Sequence, residues 1–313
     1  MFQRILVPLD GSDLAERALK PAVLLAEAVQ AEIWLLSIPY LSHLFKEDRA
    51  GYGLLWPEQS MADTEEALTN YLQLVKARYE KPGLAIQCHL EAGDEASVIV
   101  DTAVAQKMDL IVMSTHGRSG FSHWYLGSVT EKVLRSAPCP VLVVRDERPL
   151  RHILITLDGS PLSEQALAPG LTVANCCDAA VTLLSVVQAE QLDPKFVSKL
   201  ENHEAGLGSQ ARDSFYYRTE NYLTQIVQKH QHLTTQELCL VTLSGNPAEQ
   251  ILKAVEAEAV DLVVMATHGR TGLRRWVYGS VTEKVLRRAT CNVLMVRPSN
   301  FPSQESHSNG NHH

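Results

Sequence analysis

One passage of this sequence occurs twice. THGRSGFSHWYLGSVTEKVLR runs from Thr115 to Arg135, and THGRTGLRRWVYGSVTEKVLR runs from Thr267 to Arg287, 152 positions further on with no gap inside either copy. An earlier pair of segments matches in the same way: RILVPLDGS ends at Ser12 and HILITLDGS ends at Ser160, 148 positions apart. A period of about 150 residues is the size of a domain and far longer than any solenoid repeat. The 313 residues therefore read as one domain written twice. The expected units are residues 1–147 and 150–298. The junction lies in the charged stretch Asp146-Glu147-Arg148-Pro149, as linkers often do. Residues 299–313 are polar and rich in Gly, Asn and Ser, and are expected to be a disordered tail.

Within each copy, short apolar runs alternate with helical patterns. In the first copy, strands are expected at Ile5 to Leu9, Glu32 to Ile38, Leu84 to Leu90, Asp109 to Met113 and Val141 to Val144. Helices are expected from Asp13 to Gln30, Ala62 to Tyr79, Glu95 to Lys107 and onward from Val129. The second copy repeats this order, with strands at 152–157, 180–187, 236–242, 261–265 and 292–296. Strands this apolar, separated by helices, are buried on both faces, which predicts an α/β fold with a parallel sheet covered on each side. Ser160 followed by Pro161 is a helix N-cap with proline at the first helical position, and Ser12 should cap in the same way. Pro21 and Pro169 fall inside matching helices and predict a kink in each. Residues 40–61 and 188–210 are unlike one another and read as irregular insertions, either functional lids or poorly ordered segments.

Composition narrows the function. A formal net charge of −8 excludes a broad electrostatic nucleic-acid binder, which needs clustered positive charge. No apolar run approaches the roughly 18 residues of a membrane span. The opening MFQRILVPLD lacks a basic segment followed by an apolar one, so no secretory signal is expected and a cytoplasmic location is. The six cysteines form no C-x-x-C pair and read as reduced, buried thiols, with Cys88 matching Cys239 and Cys139 matching Cys291. Cys176-Cys177 shows no metal-ligand spacing.

Ligands of open parallel sheets bind beyond the carboxyl ends of the strands, where strand order reverses. Two motifs fall at such ends in each copy. The first strand is followed by Asp10-Gly11-Ser12 or Asp158-Gly159-Ser160. The fourth is followed by Ser114-Thr115-His116-Gly117-Arg118 or Ala266-Thr267-His268-Gly269-Arg270. Nine residues separate the loop glycine from Gly127-Ser128-Val129 or Gly279-Ser280-Val281, which opens a helix. Glycines let the backbone approach an anion, helix N-termini point free amides at it, and Arg118 and Arg270 supply positive charge. A reading without a ligand stands beside this one. Ser128 to Glu131 and Ser280 to Glu283 each spell an S-x-x-E capping box, which needs no ligand. Asp10 and Asp158 fit either a turn or a ligand role. His116 and His268 read as loop-ordering residues, because no partnered nucleophile is visible.

These motifs, occurring twice, resemble the universal stress protein family over residues 2 to 297. The family pattern is G-x-x-G, nine residues, then G-S or G-T. Its second glycine matches Gly117 and Gly269, and its closing pair matches Gly127-Ser128 and Gly279-Ser280. The first glycine is Ser114 or Ala266 here; if that position requires positive φ, the Ala266 methyl would crowd a phosphate. The resemblance implies two tandem Rossmann-like, doubly wound domains, each with a five-stranded parallel sheet in the order 3-2-1-4-5. They would pair through their last strands, Val141 to Val144 and Val293 to Val296, as an internal pseudo-dimer. A small-residue turn after the third strand is implied at Gly93-Asp94 and Gly245-Asn246-Pro247. ATP is the implied ligand, accompanied by a divalent metal such as Mg or Mn. Its candidate residues are Asp10, Ser114, Gly117, Arg118, Gly127, Ser128, Val129, Asp158, Ala266, Gly269, Arg270, Gly279, Ser280 and Val281. A stress-response or regulatory role follows, with a further homodimer and no nucleic-acid or membrane partner. A nucleotide-independent scaffold of the same fold is the alternative. A slow ATPase ranks lower, since no Walker A motif, pyrophosphate loop or general base is evident and no catalytic or metal-ligating residue is assigned.

Overall fold

The computed structural model describes residues 2–39, 45–47, 53–55, 58–115, 126–188, 198, 203, 207–267 and 278–297. The first copy runs β1 (Arg4–Pro8), α1 (Asp13–Glu16), α2 (Leu19–Val29), β2 (Glu32–Ser37), β3 (Phe45–Glu47), β4 (Gly53–Leu55), α3 (Glu58–Tyr79), β5 (Ile86–Leu90), α4 (Glu95–Ala105), β6 (Leu110–Ser114), α5 (Ser128–Ser136) and β7 (Val141–Val144). The second runs β8 (His152–Leu157), α6 (Pro161–Glu164), α7 (Leu167–Cys177), β9 (Ala180–Val187), α8 (Leu207–His230), β10 (Leu238–Ser244), α9 (Pro247–Ala257), β11 (Leu262–Ala266), α10 (Ser280–Arg288) and β12 (Asn292–Val296).

The two copies build one ten-stranded sheet, ordered β10-β9-β8-β11-β12-β7-β6-β1-β2-β5. Each half has the 3-2-1-4-5 order and is parallel throughout. Where the halves meet, β12 runs antiparallel to β7, with Val293 opposite Val143 and Leu294 opposite Leu142. All four residues are buried, so the apolar edge that each copy would expose alone is covered by the other.

Side chains alternate along each strand and feed two cores, one on each face. Ile5 and Val7 of β1 point into the layer that holds α2, α3, α7 and α8, while Leu6 joins the layer of α4, α5, α9 and α10. Both cores continue across the seam, and α2 lies against α7. The seam is also tied by polar groups. Arg297 donates to the carbonyl of Ala137 just past α5 at 3.1 Å, and Arg145 donates to that of Leu286 near the end of α10. Both place a cation where a helix leaves its carbonyls without partners. Among the described residues, no helix is long and apolar enough to cross a membrane.

Several expectations change. The helix expected over Asp13 to Gln30 is two helices, α1 and α2, as are α6 and α7 in the second copy. Pro21 and Pro169 are the third residues of α2 and α7, where a missing amide removes no helical bond, so the chain breaks before each proline instead of bending at it. The segment 40–61, expected to be irregular, contains the antiparallel pair β3–β4 and the start of α3. The segment 188–210 contains the first residues of α8. The fourth strand of each copy ends one residue later than expected, which puts Ser114 and Ala266 inside it. Cys139 and Cys291 are buried as expected, but Cys239 is exposed because β10 is an outer edge strand.

Candidate functional site

The order of strands reverses between β1 and β6 in the first copy and between β8 and β11 in the second. The residues that follow these strands come together there. Beyond β1, Asp10 turns the chain: its Oδ1 accepts from the Ser12 amide at 3.0 Å and from the Ser12 hydroxyl at 2.6 Å. Asp158 accepts from Ser160 in the same way, at 2.9 and 2.6 Å. Ser12 and Ser160 then cap α1 and α6, each accepting an amide three residues on at 3.1 Å. One carboxylate oxygen of each aspartate is therefore a turn-former. Gly11 and Gly159 make the turn at φ 81° and 82°, a conformation that side chains disfavour.

The helix after the fourth strand is anchored to that strand's end. Thr130 of α5 donates its hydroxyl to the carbonyl of Ser114 at 3.1 Å, and Thr282 of α10 donates to that of Ala266 at 3.1 Å. The Gly127 and Gly279 amides donate to the carbonyls of Thr115 and Thr267 at 2.8 and 3.1 Å. These bonds place the helix start directly over the strand end. They also overturn the capping-box reading. Gly127 and Gly279 are the N-caps, Ser128 and Ser280 are the first helical residues, and among the described residues no side chain caps either helix. A hydroxyl at the first helical position is past the point from which it can reach the third amide. Among the described residues, the first-turn amides of each helix therefore have no side-chain acceptor from the cap position.

Gly279 has φ −56° and ψ 146°, which any residue can adopt. A Cβ there would meet its nearest described neighbours, the Thr267 carbonyl oxygen and the Thr282 hydroxyl, at 3.9 Å. Neither conformation nor internal packing among the described residues requires a glycine. The backbone at this position is open enough for a ligand group to approach it closely, which a phosphate would use. Ser114 and Ala266 are buried strand residues without positive φ, so the crowding expected for the Ala266 methyl loses its premise. Gly117, Arg118, Gly269, Arg270, His116 and His268 lie outside the described residues.

In the second copy a cleft of about 280 Å³ opens beside this helix start. Gln188 after β9, Gly245 to Ala248 at the start of α9, and Ser280, Val281 and Lys284 of α10 line it. The matching positions of the first copy are bridged. Lys132 of α5 reaches Asp94, the N-cap of α4, at 3.3 Å. Hydrogen bonds from the Ser97 amide and hydroxyl, and then from Lys132, hold the Asp94 carboxyl below its ordinary pKa.

The universal stress protein family model matches this chain twice, over residues 1–145 and 149–297. The chain belongs to the universal stress protein family. A universal stress protein of Methanocaldococcus jannaschii is 35% identical over 145 residues, 46% of this chain and 83% of its own length. The universal stress protein E homolog of Haemophilus influenzae is 26% identical over 95% of this chain and 98% of its own length. A solved universal stress protein of Archaeoglobus fulgidus superposes over 95% of this chain and 97% of its own, with a TM-score of 0.63 and 20% identity, which shows a shared fold.

For this family member, reasoning from sequence found the helix-opening pairs and the strand-end aspartates but missed Lys284, Gln188 and the two anchoring threonines. Lys284 had a legible signal. It follows Ser280 by four residues and so shares its helix face. Gln188 had none, because its segment differs between the copies. No group of three or more His, Cys, Asp or Glu side chains among the described residues is arranged to hold a metal.

Proposed function

We propose that this protein is a cytoplasmic, ATP-binding regulatory member of its family that acts in the stress response. The observation that carries this reading is the glycine-only N-cap of α5 and α10 at the strand-order reversal, occurring in both copies. A first turn of amides with no side-chain cap is suited to phosphate oxygens, which it meets with N–H donors and the positive end of the helix dipole. On this reading the amides of Ser128 and Val129, and of Ser280 and Val281, take the phosphates. Asp10 and Asp158 face the sugar or base, and Gly117, Arg118, Gly269 and Arg270 complete the phosphate loop. A divalent cation such as Mg or Mn arrives on the phosphates themselves. The protein binds and reports nucleotide, and it pairs with a second copy.

Isothermal titration with MgATP, together with native mass spectrometry of the freshly purified protein, tests this. Binding at micromolar concentration and retained nucleotide are expected. Absence of both at tens of micromolar protein would remove the reading. The continuous ten-stranded sheet favours a second one, a pseudo-symmetric scaffold that needs no nucleotide. Replacing Gly127 and Gly279 by leucine separates them. The scaffold reading requires oligomeric state and partner binding to stay as they were, whereas the nucleotide reading requires ATP binding to be lost.

A further inference from the structure

The second copy's cleft and the matching place in the first copy are built from the same elements, but the charges there differ. In the first copy Asp94 caps α4, Glu95 is the first residue of that helix, and Lys132 of α5 is paired with Asp94 at 3.3 Å. In the second copy the corresponding residues, 152 positions on, are Asn246, Pro247 and Lys284. Two carboxylates have gone and the lysine has stayed. Lys284 lines the cleft, and among the described residues it forms no ion pair. Asn246 caps α9 by accepting the Glu249 amide at 3.3 Å through its oxygen, so its side-chain nitrogen is a donor at a place where Asp94 offers only acceptors. Glu249, which stands where the first copy has Ser97, is the one acid added in this turn, and it is not among the residues that line the cleft.

We infer that the two clefts are unequal, and that the second takes a polyphosphate group while the Asp94–Lys132 pair closes the first against it. The inference rests on the nucleotide reading for the identity of the ligand, but the charge argument concerns only its anionic part. A polyphosphate entering the first cleft meets the Asp94 and Glu95 carboxylates and must draw Lys132 away from Asp94. In the second cleft it meets an ammonium without a carboxylate partner and an amide donor, which form the stronger, charge-assisted kind of hydrogen bond. The Asp94/Asn246 position thus determines which copy is occupied.

The test exchanges the two caps. Aspartate and asparagine cap helices about equally well, so Asp94→Asn and Asn246→Asp both keep the fold. Native mass spectrometry and titration calorimetry are run with MgATP and, separately, with inorganic tripolyphosphate. The wild-type protein is expected to take one equivalent of each tightly. Asn246→Asp should weaken that site about tenfold, and Asp94→Asn should bring the first cleft to comparable affinity, so that a second equivalent appears. Two equal sites that neither exchange alters would overturn the inequality and leave nucleotide binding standing. A single site that responds to Asp94→Asn and ignores Asn246→Asp would overturn the assignment to the second copy. If tripolyphosphate follows the expected pattern while ATP does not bind, the unequal clefts stand and the nucleotide reading falls. If neither probe binds, both are overturned.

Discussion

Gly159 and Gly279 illustrate two different reasons for a glycine. Gly159 has φ 82° and turns the chain after β8, so an alanine there is strained by about 1–2 kcal/mol. Gly279 sits in ordinary backbone with room for a methyl group among its described neighbours. Gly159→Ala should therefore lower stability by about 1–2 kcal/mol in urea unfolding. Gly279→Ala should leave the midpoint within about 0.5 kcal/mol of wild type and weaken ATP binding in calorimetry. A stability loss at Gly279 as large as that at Gly159 would mean that the glycine serves the fold. The cysteines divide by burial in the same way. Burial pushes the Cys139 and Cys177 thiols up to about 12 and Cys291 up to about 11, so all three stay protonated at neutral and mildly alkaline pH. These groups ionise in the unfolded chain from about pH 9 upward but not in the folded one, so they contribute stability that is lost as pH rises above that value. A thiol reagent at pH 8 should label the exposed Cys239 first and leave Cys139 and Cys291 unmodified in the native protein, as read by peptide mass mapping.

The element that organises the site is the helix after the fourth strand, and a buried hydroxyl together with the Gly279 amide holds its start in place. Thr282 reaches back from the third residue of α10 to the last carbonyl of β11. Valine preserves the volume but leaves that carbonyl without this donor. Thr282→Val should cost about 1–3 kcal/mol in denaturant unfolding. If it costs less than about 0.5 kcal/mol, the helix start is held by the Gly279 amide alone. The duplicated segment made this helix legible in both copies, including its apolar face at Val285 and Leu286. Which residue caps it was not legible. SVTE spells a capping box in any sequence window, and whether the serine caps depends on where the chain leaves the preceding strand. That exit is set by hydrogen bonds to Thr267 and Ala266, more than ten residues away.

At the scale of the molecule, the seam makes two copies into one body. Asn292 ties it on one side: its Oδ1 accepts from the Arg145 and Asp146 amides at 2.7 and 3.0 Å, and its Nδ2 donates to the Asp146 carbonyl at 3.1 Å. The corresponding residue of the first copy is Pro140, which has no such side chain. Asn292→Ala removes three hydrogen bonds next to the β7–β12 pairing and should cost about 2–3 kcal/mol. In calorimetry the wild type should melt in one transition and the variant should begin to separate into two as the copies uncouple. An unchanged single transition at the wild-type temperature would show that the apolar contacts of Leu142 and Leu294 suffice.

The sequence by itself determined the duplication, the alternation of strands and helices, and the Asp-Gly-Ser turns. Each of these is written in contacts within a few residues or in repetition along the chain. Tertiary structure alone decided that Gly279 caps α10, that Cys239 faces outward on an edge, and that Lys132 meets Asp94 while Lys284 has no carboxylate partner among the described residues. Those outcomes join segments far apart in sequence. A side chain's charge is read from one position, but its effect depends on what the fold places opposite it.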